Sequence, residues 1–240
     1  MSAVAALLDR LGRPGEVRRG TVHPPAITRL STGLAGLDAA LGGGLPRGRV
    51  TELVGTPGAG RTGLACAMAA AATAGGETIA WVDPADGQDP ETAAAAGVGL
   101  ARTLWVRPRG SSDALRAAEI LLGAGGFGLV VLDLGSQAGP RAVSSTRSAR
   151  RPTRLTSWTR LARAAERTRS TLLVLTAAGR AGSTMGACAA LRLELTGRRV
   201  RWSGGQGRCA LLDGVTARLT VARSRGGGTG RTLVVRQACA

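Results

Sequence analysis

Eight residues carry the densest chemistry in the chain: Gly55-Thr56-Pro57-Gly58-Ala59-Gly60-Arg61-Thr62. A short strand-like run, Arg49 to Val54, precedes them, and an Ala-rich helical run, Gly63 to Ala74, follows. Strand, glycine loop and helix in that order is the setting of a phosphate-binding loop, and the spacing G-x-x-x-x-G-[basic]-T is that of a Walker A motif. Gly55, Gly58 and Gly60 admit backbone angles closed to other residues and let main-chain N–H groups converge on an anion. The helix aims its positive end at the same point, and Thr62 offers a hydroxyl to Mg²⁺. The departure is Arg61, where the motif asks for Lys. Arg carries the same charge on a planar fork and does not replace a slim ammonium isosterically. The bland alternative is a glycine-rich strand-to-helix turn that binds nothing.

Asp133 is the second candidate. It ends the run Gly128-Leu-Val-Val-Leu, a Walker B pattern whose carboxylate, at the C-terminal end of a strand, would hold Mg²⁺ through water. Another buried strand, Thr78 to Val82, ends at Asp83-Pro84-Ala85-Asp86-Gly87-Gln88-Asp89-Pro90. Here Asp86 and Asp89 are either solvated or cap the helix expected over Glu91–Ala96.

These groups need strands and helices to hold them, and the chain supplies both in alternation. Ser31 and Thr32 are placed to cap a short helix carrying Leu34, Leu37 and Leu41. Thr103–Val106 reads as a strand. Ser112 or Asp113 is placed to cap a helix with Leu115, Ala118, Leu121 and Leu122. Ser157–Arg167 reads as a helix with Trp158, Leu161, Ala162 and Ala165 inward, and Thr171–Thr176 as a buried strand. The last third, Ala190–Thr196, Arg198–Trp202, Thr216–Ala222 and Thr232–Arg236, alternates in strand fashion between Gly-rich turns and reads as antiparallel strands extending a sheet.

Before the core, Ala3 to Leu11 reads as an amphipathic helix with Val4, Leu7, Leu8 and Leu11 on one face. Arg13-Pro14-Gly15 stops it, and a polar linker with Arg18, Arg19 and a Pro-Pro pair follows. Residues 1–27 are therefore a helix and linker, and 28–240 the core domain. Such a helix either folds back on its own core or docks on a neighbouring chain. The segment Arg141 to Arg154 is rich in Ser, Thr and Arg; Arg141, Arg147, Arg150, Arg151 and Arg154 suit phosphate contacts, or the segment is a solvated loop.

Net charge is +17 over 240 residues, and all 32 basic residues are Arg. That balance favours a polyanion or an acidic protein face as partner. The absence of Lys also reads as a coding bias, under which Arg61 is drift. Four Trp, one Phe and no Tyr are few for a protein that stacks bases on aromatic platforms, so Trp81, Trp105, Trp158 and Trp202 are expected in the core or at an interface. Cys66, Cys188, Cys209 and Cys239 form no C-x-x-C pair, and with His23 the single His no metal site is expected. Isolated thiols, no secretory signal and no membrane-length apolar stretch predict a cytoplasmic protein, nucleoid-associated if it meets DNA.

Ser31-Thr32-Gly33, Leu37-Asp38, Ala40-Leu41-Gly42 and Gly44-Leu45-Pro46-x-Gly48-Arg49, leading into the strand and loop, resemble the start of the RecA recombinase core. The resemblance spans roughly residues 28 to 236 and implies a RecA-like α/β fold: a central, mostly parallel sheet flanked by helices, with antiparallel strands at the C-terminal end. It places the water-activating Glu of the recombinases at Ala85, where a methyl group cannot take a proton; Asp86 is the neighbouring substitute. It places their γ-phosphate-sensing Gln at Ala177-Ala178, sets Arg141–Arg154 where the first DNA-facing loop begins, and leaves only Gly179 to Gly186 for the long second one. No residue is therefore assigned as catalytic, and no cofactor is required, with ATP and Mg²⁺ the ligands the loop would take.

A RecA frame without these parts is similar to the ImuA proteins, RecA-like accessories of error-prone translesion synthesis. That likeness implies a role in the DNA-damage (SOS) response through contact with RecA or with the translesion polymerase adaptor, self-association through the N-terminal helix, and no membrane. A weak DNA-stimulated ATPase using Arg61 and Asp133, and a RecA-like cell-division inhibitor, are the alternatives.

Overall fold

The apolar runs of the sequence become the strands of one sheet. In chain order the elements are β1 (Arg29–Leu30), α1 (Ala35–Leu41), β2 (Leu45–Pro46), β3 (Val50–Gly55), α2 (Arg61–Ala74), β4 (Ile79–Val82) and α3 (Pro90–Ala95). They continue with β5 (Thr103–Val106), α4 (Gly110–Ala124), β6 (Leu129–Asp133), α5 (Leu155–Thr168), β7 (Thr171–Ala177), β8 (Leu191–Ser203), β9 (Leu211–Ser224) and β10 (Thr232–Ala238). This is a computed structural model, and it describes residues 28–135, 155–178, 188–204 and 211–238. The helix expected at Val4, Leu7, Leu8 and Leu11, and the segment with Arg141, Arg147, Arg150, Arg151 and Arg154, lie outside the described residues.

Eight strands run in the order β10-β9-β8-β3-β7-β6-β4-β5, and β1 pairs separately with β2. The six strands from β8 to β5 are parallel; β9 and β10 add antiparallel. Parallel strands covered on both faces read as continuous apolar runs, and β4, β6 and most of β7 do so. Leu53, Ile79, Trp81, Val131, Leu173 and Leu175 pack under α2 on one face. Val50, Ala80, Val82, Leu132, Leu172 and Val174 pack under α4 and α5 on the other. The sheet order puts the C-terminal ends of β3, β7, β6 and β4 side by side, which is where doubly wound sheets take their ligands.

Three expectations change in detail. The first helix starts at Ala35 after Leu34, without a side-chain cap. Ser31 and Thr32 instead bond Asp38, whose carboxylate accepts from Ser31 Oγ at 2.7 Å, Thr32 N at 2.9 Å and Thr32 Oγ1 at 2.6 Å. The helix that was to be capped by Ser112 or Asp113 begins at Gly110, so both residues lie inside its first turn. The expected strands Ala190–Thr196 and Arg198–Trp202 are one strand, β8, which passes its break by register shifts around Gly197 and Arg198. A bulge absorbs the extra residue and sharpens the twist.

Of the four Trp, Trp81 and Trp158 are buried and Trp105 is half-buried, but Trp202 is 62% exposed and belongs to no core. Cys66 is a buried free thiol and Cys188 a half-buried one. No helix among the described residues is long and apolar enough to cross a membrane.

Candidate phosphate site

The glycine loop bridges β3 and α2, as its spacing predicts. Gly58 (φ +74°) and Gly60 (φ +91°) hold left-handed angles, which Cβ-bearing residues adopt only with strain. Gly55 does not; it is a strand residue with a different constraint. A Cβ there would lie 3.1 Å from Arg61 Cγ and 3.1 Å from Leu195 Cβ, so Gly55 is needed for close packing and not for its backbone angle.

Arg61, the first residue of α2, is buried. Its guanidinium turns to the strand ends. Nη1 donates to the carbonyl oxygens of Gly55 at 2.9 Å and Thr176 at 2.6 Å, and Nη2 donates to that of Gly135 at 2.9 Å. One side chain thereby ties the ends of β3 and β7 and the loop after β6. Only a fork with several fixed donors does this; an ammonium is a point charge with three rotatable ones. The guanidinium lies against Gly135, where a Cβ would fall 2.7 Å from Cζ. Burial pulls the Arg61 pKa below its ordinary value, and the Asp133 carboxylate opposes that pull.

Asp133 is buried at the end of β6, with Oδ1 accepting from Gly135 N at 2.9 Å. On the adjacent β4, Val82 is registered with Leu132, so Asp83 follows on the same rung as Asp133. Asp83 Oδ2 accepts from Gln88 N at 2.9 Å, while its buried Oδ1 has no hydrogen-bond partner among the described residues. Gln88 Nε2 bonds Cys66 Sγ at 3.3 Å, and burial raises the Cys66 thiol above its ordinary pKa. Sequence reasoning passed over Asp83 and Gln88 as site residues; the signal was their place just after an apolar run at the C-terminal edge.

The other expected positions fall as follows. Thr62 is half-buried at the second residue of α2. Ala85 is buried, and its side chain is a methyl group. Asp86 adopts a left-handed φ of 55° and pairs with Arg107 at 3.2 Å. Asp89 caps α3 through Thr92 N at 2.8 Å. Ala177 ends β7 and Ala178 follows it, with Ala178 N donating to Gly55 O at 3.0 Å. Among the described residues no cluster of His, Cys, Asp and Glu is arranged to hold a metal ion.

One neighbour of the loop was not foreseen. Arg198, at the β8 bulge, lies over Gly58 so closely that a Cβ at 58 would collide with its guanidinium. The glycine loop is thus flanked by two arginines, one turned to carbonyls beneath it and one exposed beside it.

A glycine loop at the carboxyl end of a parallel sheet, with an acidic residue ending a neighbouring strand, defines a protein of the doubly wound α/β class. Residues 2–167 match the RecA N-terminal domain, and the chain belongs to that family. It is 35% identical over 142 residues to Protein RecA of Kineococcus radiotolerans, and 36% and 35% identical over the same length to those of Ectopseudomonas oleovorans and Deinococcus radiodurans. These alignments cover 59% of this chain but only 39–41% of those relatives, so the chain matches about two fifths of their length. The RadB recombinase has a similar fold, with a TM-score of 0.63 and 21% identity over 86% of this chain and 95% of that one.

Proposed function

We propose that this RecA-family chain has kept the nucleotide-binding frame and given up efficient hydrolysis, and that it acts as a protein-interaction accessory in the DNA-damage response. The observation that carries this reading is the Arg61 guanidinium, held by three main-chain carbonyls. A cation so engaged must break those bonds before it reaches an outer phosphate. The positively turned loop still fits a phosphate group: Gly58 and Gly60 set its N–H groups, and the N-terminus of the 14-residue α2 adds its dipole. The unpartnered Oδ1 of Asp83 is an acceptor that a water would satisfy. A bound nucleotide with Mg²⁺ would bring the transferable phosphoryl group and its charge compensation; Thr62 and Asp133 would hold the metal.

Hydrolysis needs more than holding. Positioning of water, sensing of the outer phosphate and compensation of its charge act together. With Ala85, Ala177-Ala178 and a withdrawn Arg61, each of the three is weakened. The finer reading is an ImuA-like accessory of error-prone translesion synthesis that contacts RecA or the polymerase adaptor, resting on the motifs that resemble that group. Replacing Leu7 and Leu8 by Glu in the full chain is expected to abolish co-purification with RecA or the adaptor while the circular dichroism stays unchanged. Undiminished capture would remove the N-terminal helix from the account, and capture of neither partner by the native chain would remove the accessory role.

A further inference from the structure

The face of the β8–β9–β10 extension opposite α2 is a ladder of arginines and threonines. Directly paired residues share a face, and the register gives the rows: Thr196–Arg218–Val234, Arg199–Thr216–Arg236 and Arg201–Gly214–Ala238, with Glu194–Thr220–Thr232 nearest the core. The reverse side of the same strands is the apolar one, with Leu193, Leu195, Ala217, Leu219, Val221 and Val235 buried. Arg199, Arg201, Arg218 and Arg236 are all exposed, and none has a hydrogen-bond or ion-pair partner among the described residues. The one carboxylate in these rows, Glu194, is already paired with Arg192 at 2.7 Å.

The ladder also has a defined place. β8 pairs with β3 only as far as Leu195, opposite Gly55. From Thr196 onward the extension therefore projects beyond the strand end where the glycine loop begins. Trp202, 62% exposed, follows Arg201 on the projecting part of β8.

We propose that this projecting face is a binding site for single-stranded nucleic acid, recognised through its phosphate backbone. The charge calls for a polyanion: four exposed guanidiniums interleaved with hydroxyls donate to phosphate oxygens. The spacing fits a backbone tracked in steps, because Arg199 and Arg201 are about 7 Å apart along the strand and Arg236 stands two strands away, about 10 Å across. The exposed indole favours a single strand over an acidic protein, since every unpaired base offers a face for stacking. Its residues are other than those of the Arg141–Arg154 segment.

The test uses the full chain and a fluorescently labelled oligothymidine, read by anisotropy across a salt series, with Trp202 emission as a second readout. Native protein is expected to bind with log K falling linearly against log salt and with quenching of the exposed indole. R218Q/R236Q should weaken binding at low salt at least tenfold and make the slope shallower by about 1.4, roughly 0.7 per lost phosphate contact. W202F should remove the quench and keep the slope. R116Q/R163Q, which removes the same charge from exposed positions on α4 and α5, should leave both unchanged. The proposal is overturned if the native chain does not bind, or if R218Q/R236Q binds like native protein. It is equally overturned if R116Q/R163Q loses as much, or if polyglutamate or duplex DNA binds more tightly than the single strand.

Discussion

Nη1 of Arg61 donates to the carbonyl oxygen of Thr176 at 2.6 Å, joining residues 115 apart in the chain. The bond fixes the first turn of α2 against the last residues of β7. It explains why a basic residue at this position can be structural first. The carbonyls of Gly55 and Thr176 lie at the carboxyl ends of β3 and β7, and that of Gly135 in the loop after β6; the guanidinium adds a donor to each.

Arg61→Lys keeps the charge and loses the fork. The Gly55 carbonyl keeps its bond from Ala178 N; of the other two one can be regained and one is left to find water or nothing, so unfolding free energy should fall by about 1 kcal/mol. Gly135→Ala should act through the same contact, since its Cβ would press on the guanidinium at 2.7 Å. The two substitutions together should cost less than their sum, because each removes the same bonds. Urea denaturation of the four proteins checks this; additive losses would mean that the carbonyl contacts carry little stability.

A second buried charge lies across β3 and β8. Glu52, almost fully buried, accepts from Arg192 Nη1 at 2.8 Å and from Thr176 Oγ1 at 3.2 Å, while Arg192 also holds Glu194 at 2.7 Å. Removing one partner strands the other in the sheet. Arg192→Leu should destabilise by about 3 kcal/mol, and the double change with Glu52→Leu should recover most of that loss. Thermal unfolding of the single and double variants reads it out. A double variant as unstable as the single one would show that the pair does more than neutralise itself.

The cap of α3 gives a pH prediction. The hydroxyl and N–H of Thr92 hold the Asp89 carboxyl below the ordinary Asp pKa. A group with a depressed folded pKa contributes above its unfolded value and loses that contribution as pH falls through the folded one. Protection of the Thr92 amide from exchange should therefore persist down to the usual carboxylate range and decline below it. Asp89→Asn should flatten that dependence. An acid decline that survives the substitution would place its origin elsewhere.

Much of this was legible from residue order. Buried parallel strands are apolar runs, so β4, β5, β6 and β7 read within a residue or so of their observed bounds. The glycine loop announced itself through Gly58 and Gly60, which do carry positive φ. What stayed hidden was long-range. Nothing near Arg61 says that it will meet Gly135, 74 residues on, and nothing near Glu52 points to Arg192, 140 residues on. Local rules also competed: Ser31 and Thr32 have cap chemistry, yet Asp38, one turn into α1, claimed their hydroxyls. Composition left Trp202 either core or interface; the β8–β9–β10 extension provides no core there and leaves it exposed.

The account turns on a RecA-family frame whose loop cation is occupied by its own backbone. ATP turnover by the purified chain, with and without single-stranded DNA, tests that most directly. The expected result is release of phosphate indistinguishable from background under both conditions, unchanged by Asp133→Asn. Sustained turnover that DNA stimulates and Asp133→Asn abolishes would contradict it.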